Sequence, residues 1–197
     1  MKQKWKGSTL LSPVPAVLVC CGKGEKKNVF TVAWTGIINS HPPKTYVSVR
    51  PERFSYDIIN SEGVFTINLP TAKIVKELDL CGVKSGRDVD KFELCGFEAE
   101  DSFEVDCVSI AQCPVTLECK VTDKLSLGSH DMFIADIVCV SVDGQYLYDG
   151  KLRLDKCEPV AYSHGDYYTL GKRLGSFGYS VMKKSTKKAR QRRDGKK

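Results

Sequence analysis

Apolar and polar positions along this chain alternate mostly with period two, the signature of half-buried strands. Residues 16–21 (AVLVCC) are apolar throughout and predict a first strand, followed by the polar turn Gly22-Lys23-Gly24-Glu25-Lys26-Lys27. Residues 29–34 (VFTVAW) are rich in β-branched and aromatic side chains and predict a second; Tyr46-Val47-Ser48-Val49 predicts a third. Between them lie Thr35, Gly36, Asn39, Ser40 and the stiff pair Pro42-Pro43. That composition predicts a long rigid connection in place of a two-residue hairpin turn. Residues 64–69 alternate as a strand ended by Pro70, and 115–121, 132–142 and 145–147 supply later strands.

Helical spacing is confined to short stretches. Residues 52–61 place Phe54, Ile58 and Ile59 on one face, with Gly63 as a stop. Residues 71–80 predict an amphipathic helix capped by Thr71, striped by Ile74, Val75 and Leu78 and ended by Gly82. Residues 88–92 predict a second short helix capped by Asp88. Residues 98–106 are acidic and irregular, and Pro13 and Pro15 keep residues 1–15 extended as an arm over the body. Strands with two or three short helices predict a mainly β chain, a Greek-key barrel with short helical insertions. No internal repeat is visible.

Length and charge refine this picture. The 197 residues fit one domain, 1–182, with room for a full barrel core. The net charge is +6, but residues 183–197 carry nine Lys or Arg against one acid, Asp194. That tail holds about +8 and leaves the body slightly acidic, with no sign of a nucleic-acid binder. Lacking apolar residues beyond Ala189, the tail is expected to be disordered. No apolar run approaches the ~20 residues of a membrane span, and the charged N-terminus leads into no signal-peptide core.

Nine cysteines are present without a C-x-x-C pair, so no zinc ribbon or thioredoxin-like site is expected and no metal is assigned. Several fall in apolar strands, as Cys119 and Cys139 do, and behave there as small hydrophobes or as redox thiols. So many thiols suit a reducing cytoplasm. There is no G-x-G-x-x-G, G-x-S-x-G or H-E-x-x-H. Residues 165–172 approach a phosphate-binding P-loop but have five residues between the glycines where four are required.

Candidate chemistry gathers in residues 28–56, NVFTVAWTGIINSHPPKTYVSVRPERFSY, where the third strand runs into Arg50-Pro51-Glu52-Arg53. Two guanidiniums at a strand-to-helix junction suit a phosphate. Four further segments accompany it: Val83-Lys84-Ser85-Gly86-Arg87-Asp88-Val89-Asp90-Lys91-Phe92, Cys113-Pro114-Val115, Gly128-Ser129-His130-Asp131-Met132-Phe133-Ile134, and Tyr162-Ser163-His164-Gly165-Asp166-Tyr167-Tyr168-Thr169-Leu170-Gly171. In this order, from Pro13 to Val181, the chain resembles the flavin reductase family of FMN-binding split barrels, and within it the flavoredoxin-like branch.

The resemblance implies FMN as cofactor. It places Asn28, Thr31, Ser48, Arg50, Arg53, Ser55 and Lys91 around the phosphate, with Val49 between Ser48 and Arg50. The ring would lie against Ala33, Trp34 and Thr35, with Ser85 and Gly86 placed similarly. His130 would lie close to the ring as the catalytic residue, and Tyr162, Tyr167 and Tyr168 beside the weaker candidate His164 would belong to the wall. Taken alone, each cation is equally a solvated surface group, Trp34 a core aromatic and His130 a surface histidine.

The implied activity is hydride transfer from NADH or NADPH to FMN in a cytoplasmic homodimer. One alternative is a flavoredoxin-like electron carrier between redox proteins with little nicotinamide reactivity. The other is a non-redox module docking through its basic tail.

Overall fold

The computed structural model describes residues 1–183; the tail expected at 183–197 lies outside them from 184 onward. The described chain runs β1 (Val14–Pro15), β2 (Val17–Cys21), β3 (Asn28–Val32), β4 (Thr35–Ser40), β5 (Pro43–Val49), α1 (Phe54–Glu62), β6 (Val64–Leu69), α2 (Val75–Val83) and α3 (Lys91–Cys95). It continues through β7 (Ala99–Asp101), β8 (Val108–Ile110), β9 (Val115–Ser126), β10 (Asp131–Val142), β11 (Leu147–Tyr148), β12 (Lys151–Leu152), β13 (Val160–Ser163) and β14 (Asp166–Thr169). Among these residues no helix is long and apolar enough to cross a membrane.

Seven strands form one antiparallel sheet in the order β3-β2-β6-β9-β10-β5-β4, so the chain is mainly β, as expected. Its two edge strands, β3 and β4, are consecutive in the chain and joined by Ala33 and Trp34 alone. A two-residue link cannot cross a flat seven-stranded sheet, whose strands lie about 4.8 Å apart. The sheet therefore curls to bring the end of β3 to the start of β4, and the Ser48 N–H donates to the Trp34 carbonyl (2.9 Å), extending the β4–β5 ladder into the link.

Curling separates two cores. Inside it, Val17, Val19, Phe30, Val47, Val49, Phe65, Ile67, Cys119 and Phe133 pack around Ile59 of α1. Outside it, Leu18, Cys20 and Val29 meet Leu78 and Cys81 of α2, Phe92 of α3, and Val108 and Ile110 of β8. Strand β2 serves both, which is why residues 17–21 show no alternation.

The buried polar groups are tied in. Asn68 is fully buried; its amide donates to the Leu18 carbonyl (3.1 Å) and Thr66 Oγ1 (3.0 Å), and accepts from Ile110 N (3.1 Å) and Thr116 Oγ1 (2.8 Å). Glu118, also buried, accepts the Phe103 and Glu104 N–H groups (3.0 and 2.7 Å). That bond arrests the loop after β7 on the side of β9.

Several sequence expectations change. Residues 35–40 are no loose connection but edge strand β4, paired with β5 from Thr35–Val47 to Ser40–Pro43. His41 and Pro42 form the turn between them. The helix cap falls on Asp90, not Asp88: its carboxylate accepts from Phe92 N (2.8 Å) and Glu93 N (3.2 Å). Asp88 belongs to the preceding turn, in which the Asp88 and Val89 N–H groups bond the Ser85 carbonyl (3.2 and 3.3 Å). Helix α2 runs one residue beyond Gly82, residues 99–101 form a strand, and 144–146 form a 3-10 turn before β11. Strands β8, β13 and β14, which sequence patterning missed, are only three or four residues long, too short for a repeated alternation to stand out.

Candidate functional site

The seam of the curled sheet opens into two adjoining cavities. The larger, about 410 Å³, is lined by Phe30, Thr31 and Val32 of β3, the Ala33-Trp34 link, Ser48, Val49 and Arg50 at the end of β5, and Arg53. His130 closes it from a third side, Asp79, Gly82 and Val83 of α2 from a fourth, and Tyr162 and Tyr167 from the β13–β14 hairpin. The smaller, about 290 Å³, is lined by Asn28, Phe30, Glu52, Phe54, Ser55, Lys84, Ser85, Gly86, Arg87, Lys91, Arg50 and Arg53. Phe30, Arg50 and Arg53 line both, so the two are continuous.

Thirteen of the fourteen residues expected at a site thus converge here. Thr35 does not: it begins β4, is buried, and its hydroxyl donates to the Tyr46 carbonyl. Trp34, 37% exposed, stands at the rim and is not a core aromatic. Tyr168 is exposed on its strand, and His164 lines an adjoining cleft formed by residues of the N-terminal arm with Trp34 and Tyr162.

Each side chain is held by a local device. β5 delivers Arg50 at its end, and a turn in which Arg53 N bonds the Arg50 carbonyl (3.0 Å) presents both guanidiniums from one loop. Arg53 Nη1 donates to the Gly82 carbonyl (3.2 Å), and Lys91 Nζ to the Cys81 carbonyl (2.8 Å), so the end of α2 anchors two cations. The Asn28 amide donates to Ser55 Oγ (2.7 Å) and ties β3 to the first turn of α1. The Thr31 hydroxyl bonds the Leu78 carbonyl. Gly86 packs so closely here that a Cβ on it would sit 2.4 Å from Asn28 Oδ1 and 2.6 Å from Phe54. Only glycine fits.

The smaller cavity is strongly cationic. Arg50, Arg53, Lys84, Arg87 and Lys91 line it against a single acid, Glu52. Glu52 pairs with Arg50 at 3.4 Å where both are exposed, a contact that solvent weakens. Lys91 is buried, and desolvation, with the Arg53 charge adding to it, holds its ammonium below the ordinary lysine value. A buried cation so crowded by others gains most from an arriving anion. Lys84 and Arg87 flank the expected Ser85-Gly86 pair, and their adjacency to it in sequence was the signal available for them.

His130 follows a turn in which Gly128 has φ +97°, and its strand neighbour Asp131 pairs with Val49, which places the ring beside Arg50. Ser129 Oγ lies 2.9 Å from Nδ1, and the residue lines the cavity. Burial, then the Arg50 charge, lowers its pKa below the ordinary 6.5. With a folded value beneath the unfolded one, its contribution to stability is intact above 6.5 and falls as pH drops through the lowered value. In a proton NMR titration the His130 ring, assigned by its loss in His130→Gln, is expected to show a midpoint below 6.5. A midpoint at or above that value would contradict the geometry.

At the far end of the larger cavity Tyr162 and Tyr167 pack with ring centroids 5.5 Å apart, and Tyr167 donates to Asp79 Oδ1 (3.1 Å). Burial, with Asp79 beside it, pushes the Tyr167 phenol up to about 12, so it remains a neutral donor. The whole site is cationic at one end and largely apolar, with aromatic edges, at the other. That division matches a ligand with an anionic tail and a flat apolar head.

Comparison with known proteins agrees. Residues 10–171 match the family model described as flavin reductase like domain. The structure of flavoredoxin from Desulfovibrio vulgaris (Miyazaki F) superposes with a TM-score of 0.86 at 31% identity, covering 92% of this chain and 100% of that one. Flavoredoxin from Methanosarcina acetivorans gives 0.84 at 29% identity, with the same 92% and 100% coverage. An uncharacterized protein of Archaeoglobus fulgidus is 30% identical over 141 residues, 72% of this chain and 78% of that protein. With a curled antiparallel sheet, a cationic pocket at its seam and a family match over most of its length, this chain belongs to the flavin-reductase-like domain family.

Proposed function

We propose that this protein is an FMN-dependent oxidoreductase that takes hydride from NADH or NADPH and passes electrons to an acceptor. The observation that carries the reading is the continuity of the two cavities through Phe30, Arg50 and Arg53. A phosphate dianion fits among Arg50, Arg53, Lys84, Arg87 and Lys91, and an isoalloxazine fits against Ala33, Trp34, Ser48 and Val49. FMN, when bound, supplies reversible two-electron chemistry at its ring.

The chain's residues supply position and charge. Arg50 and Arg53 hold the anionic tail while their charge extends into the larger cavity and favours negative charge there. His130, its pKa held low by burial and then by the Arg50 charge, borders the cavity where it can meet a bound molecule. Trp34 and the Tyr162–Tyr167 pair cover the open side and exclude water. Homodimer formation belongs to the same proposal: Ile37 and Ile38 on edge strand β4, beside the site, are exposed apolar residues that a second copy would cover. A cytoplasmic location also belongs to it, since the cysteines are free thiols.

A second reading, an electron carrier between redox proteins, is favoured by the likeness to two flavoredoxins. One experiment addresses both. The purified protein is expected to show, or acquire with added FMN, a visible flavin spectrum; failure to bind FMN would sink both readings. Bleaching by NADH or NADPH on a catalytic timescale supports the reductase. Slow bleaching with rapid reduction by a protein donor supports the carrier.

A further inference from the structure

Two thiols meet behind the smaller cavity. Cys81 lies in the last turn of α2 and Cys95 at the end of α3, with their sulfurs 3.7 Å apart. The same helices are joined by the Lys91 Nζ bond to the carbonyl of Cys81 itself (2.8 Å). Lys91 and Cys95 are four residues apart on α3 and so share its face toward α2. Arg53 holds the next carbonyl, that of Gly82 (3.2 Å). The thiol pair is therefore built into the turn that anchors two of the cavity's cations.

We propose that Cys81 and Cys95 are a reversible dithiol–disulfide site, closed by low-molecular-weight disulfides, and that closure weakens the cavity's hold on its anion. The effect on the anion rests on the FMN reading above; the disulfide itself does not. A bonded pair is about 2.05 Å apart, so the sulfurs need approach by only about 1.6 Å. Because Cys95 is half-buried and Cys81 fully buried, Cys95 meets the oxidant first.

The Cys95 thiolate attacks one sulfur of the small disulfide, forms a mixed disulfide and expels one small thiolate. Cys81, once deprotonated, attacks Cys95 Sγ and expels the second. One S–S bond is broken and one made; the cysteines lose two electrons, and their two protons end on the released thiolates. Burial raises both thiols and the Lys91 charge opposes it, so closure speeds up as pH rises. Drawing α3 toward α2 fastens the Lys91 ammonium onto the Cys81 carbonyl and away from the cavity.

The test uses the full chain. Reduced protein is exposed to glutathione disulfide at pH 8, its remaining thiols are blocked with N-ethylmaleimide, and it is cut after glutamates. Cleavage at Glu77, Glu93 and Glu98 yields segments 78–93 and 94–98, each with one cysteine. They are expected joined, lighter than their summed masses by two hydrogens. Segments recovered separately, or joined to other cysteines, would overturn the disulfide.

FMN affinity is then expected to be about fivefold weaker in the closed form, restored by dithiothreitol, and unaltered by the oxidant in Cys95→Ser. Equal affinity in closed and reduced protein would overturn the coupling. If reduced protein binds no FMN, the coupling falls together with the FMN reading, while the segment masses still decide the disulfide.

Discussion

Replacing Arg53 by Ala is expected to weaken FMN binding about 10- to 100-fold, from the roughly 1.5–3 kcal/mol of a hydrogen bond to a charged group. Arg53 lines both cavities and is anchored by the Gly82 carbonyl, so its guanidinium is held ready before any ligand arrives. Arg53→Lys keeps charge but loses the planar fork, and an intermediate loss is expected. Raising ionic strength weakens the native protein's binding more than that of Arg53→Ala, since one screened contact is already gone. Titration of flavin fluorescence measures all three. An Arg53→Ala protein that binds like the native one would place the phosphate elsewhere and undo the assignment of the smaller cavity.

The largest expected loss of stability comes from a residue that lines neither cavity. Asn68→Leu is expected to cost about 3 kcal/mol, from two or more buried groups left without partners at about 1–3 kcal/mol each, partly offset by apolar burial. One amide joins β2, β6, β8 and β9 through its bonds to Leu18, Thr66, Ile110 and Thr116. In Leu the shape is similar, but Ile110 N and Thr116 Oγ1 lose their acceptor. Urea unfolding measures the difference, with Ser61→Ala as the comparison. Ser61 is exposed and bonds the Ile58 carbonyl in its own helix, so its change should fall within about 0.5 kcal/mol. Equal midpoints for the two variants would mean the Asn68 network carries no net stability.

Sequence patterning found what periodicity and composition encode. Strands β2, β3, β5, β6, β9 and β10 were legible because their side chains alternate or are buried on both faces. Arg50, Arg53, Lys91, Gly86 and His130 were legible as a set through resemblance; singly, each has an ordinary surface explanation. Edge strand β4 was misread because Gly36, Asn39 and Ser40 carry turn chemistry, and only pairing with β5 makes it a strand. Asp88 and Asp90 are indistinguishable as caps in sequence. The choice was made by a turn whose bonds to Ser85 extend the chain by two residues. Thr35 falls outside both cavities for a related reason: position beside Trp34 says nothing about which side of the sheet a hydroxyl faces. The Cys81–Cys95 approach was invisible because two helices, not a spacing rule, create it.

The seam has a consequence for how the molecule assembles. Strands β3 and β4 are chain neighbours yet occupy opposite ends of the seven-strand order, with β2, β6, β9, β10 and β5 between them. Neither pocket wall can be completed until every intervening partner has docked, including strands contributed by residues a hundred positions downstream. Ligand capture is therefore a late event that reports on the entire ladder. Any nucleotide that binds there stabilises the molecule globally by mass action.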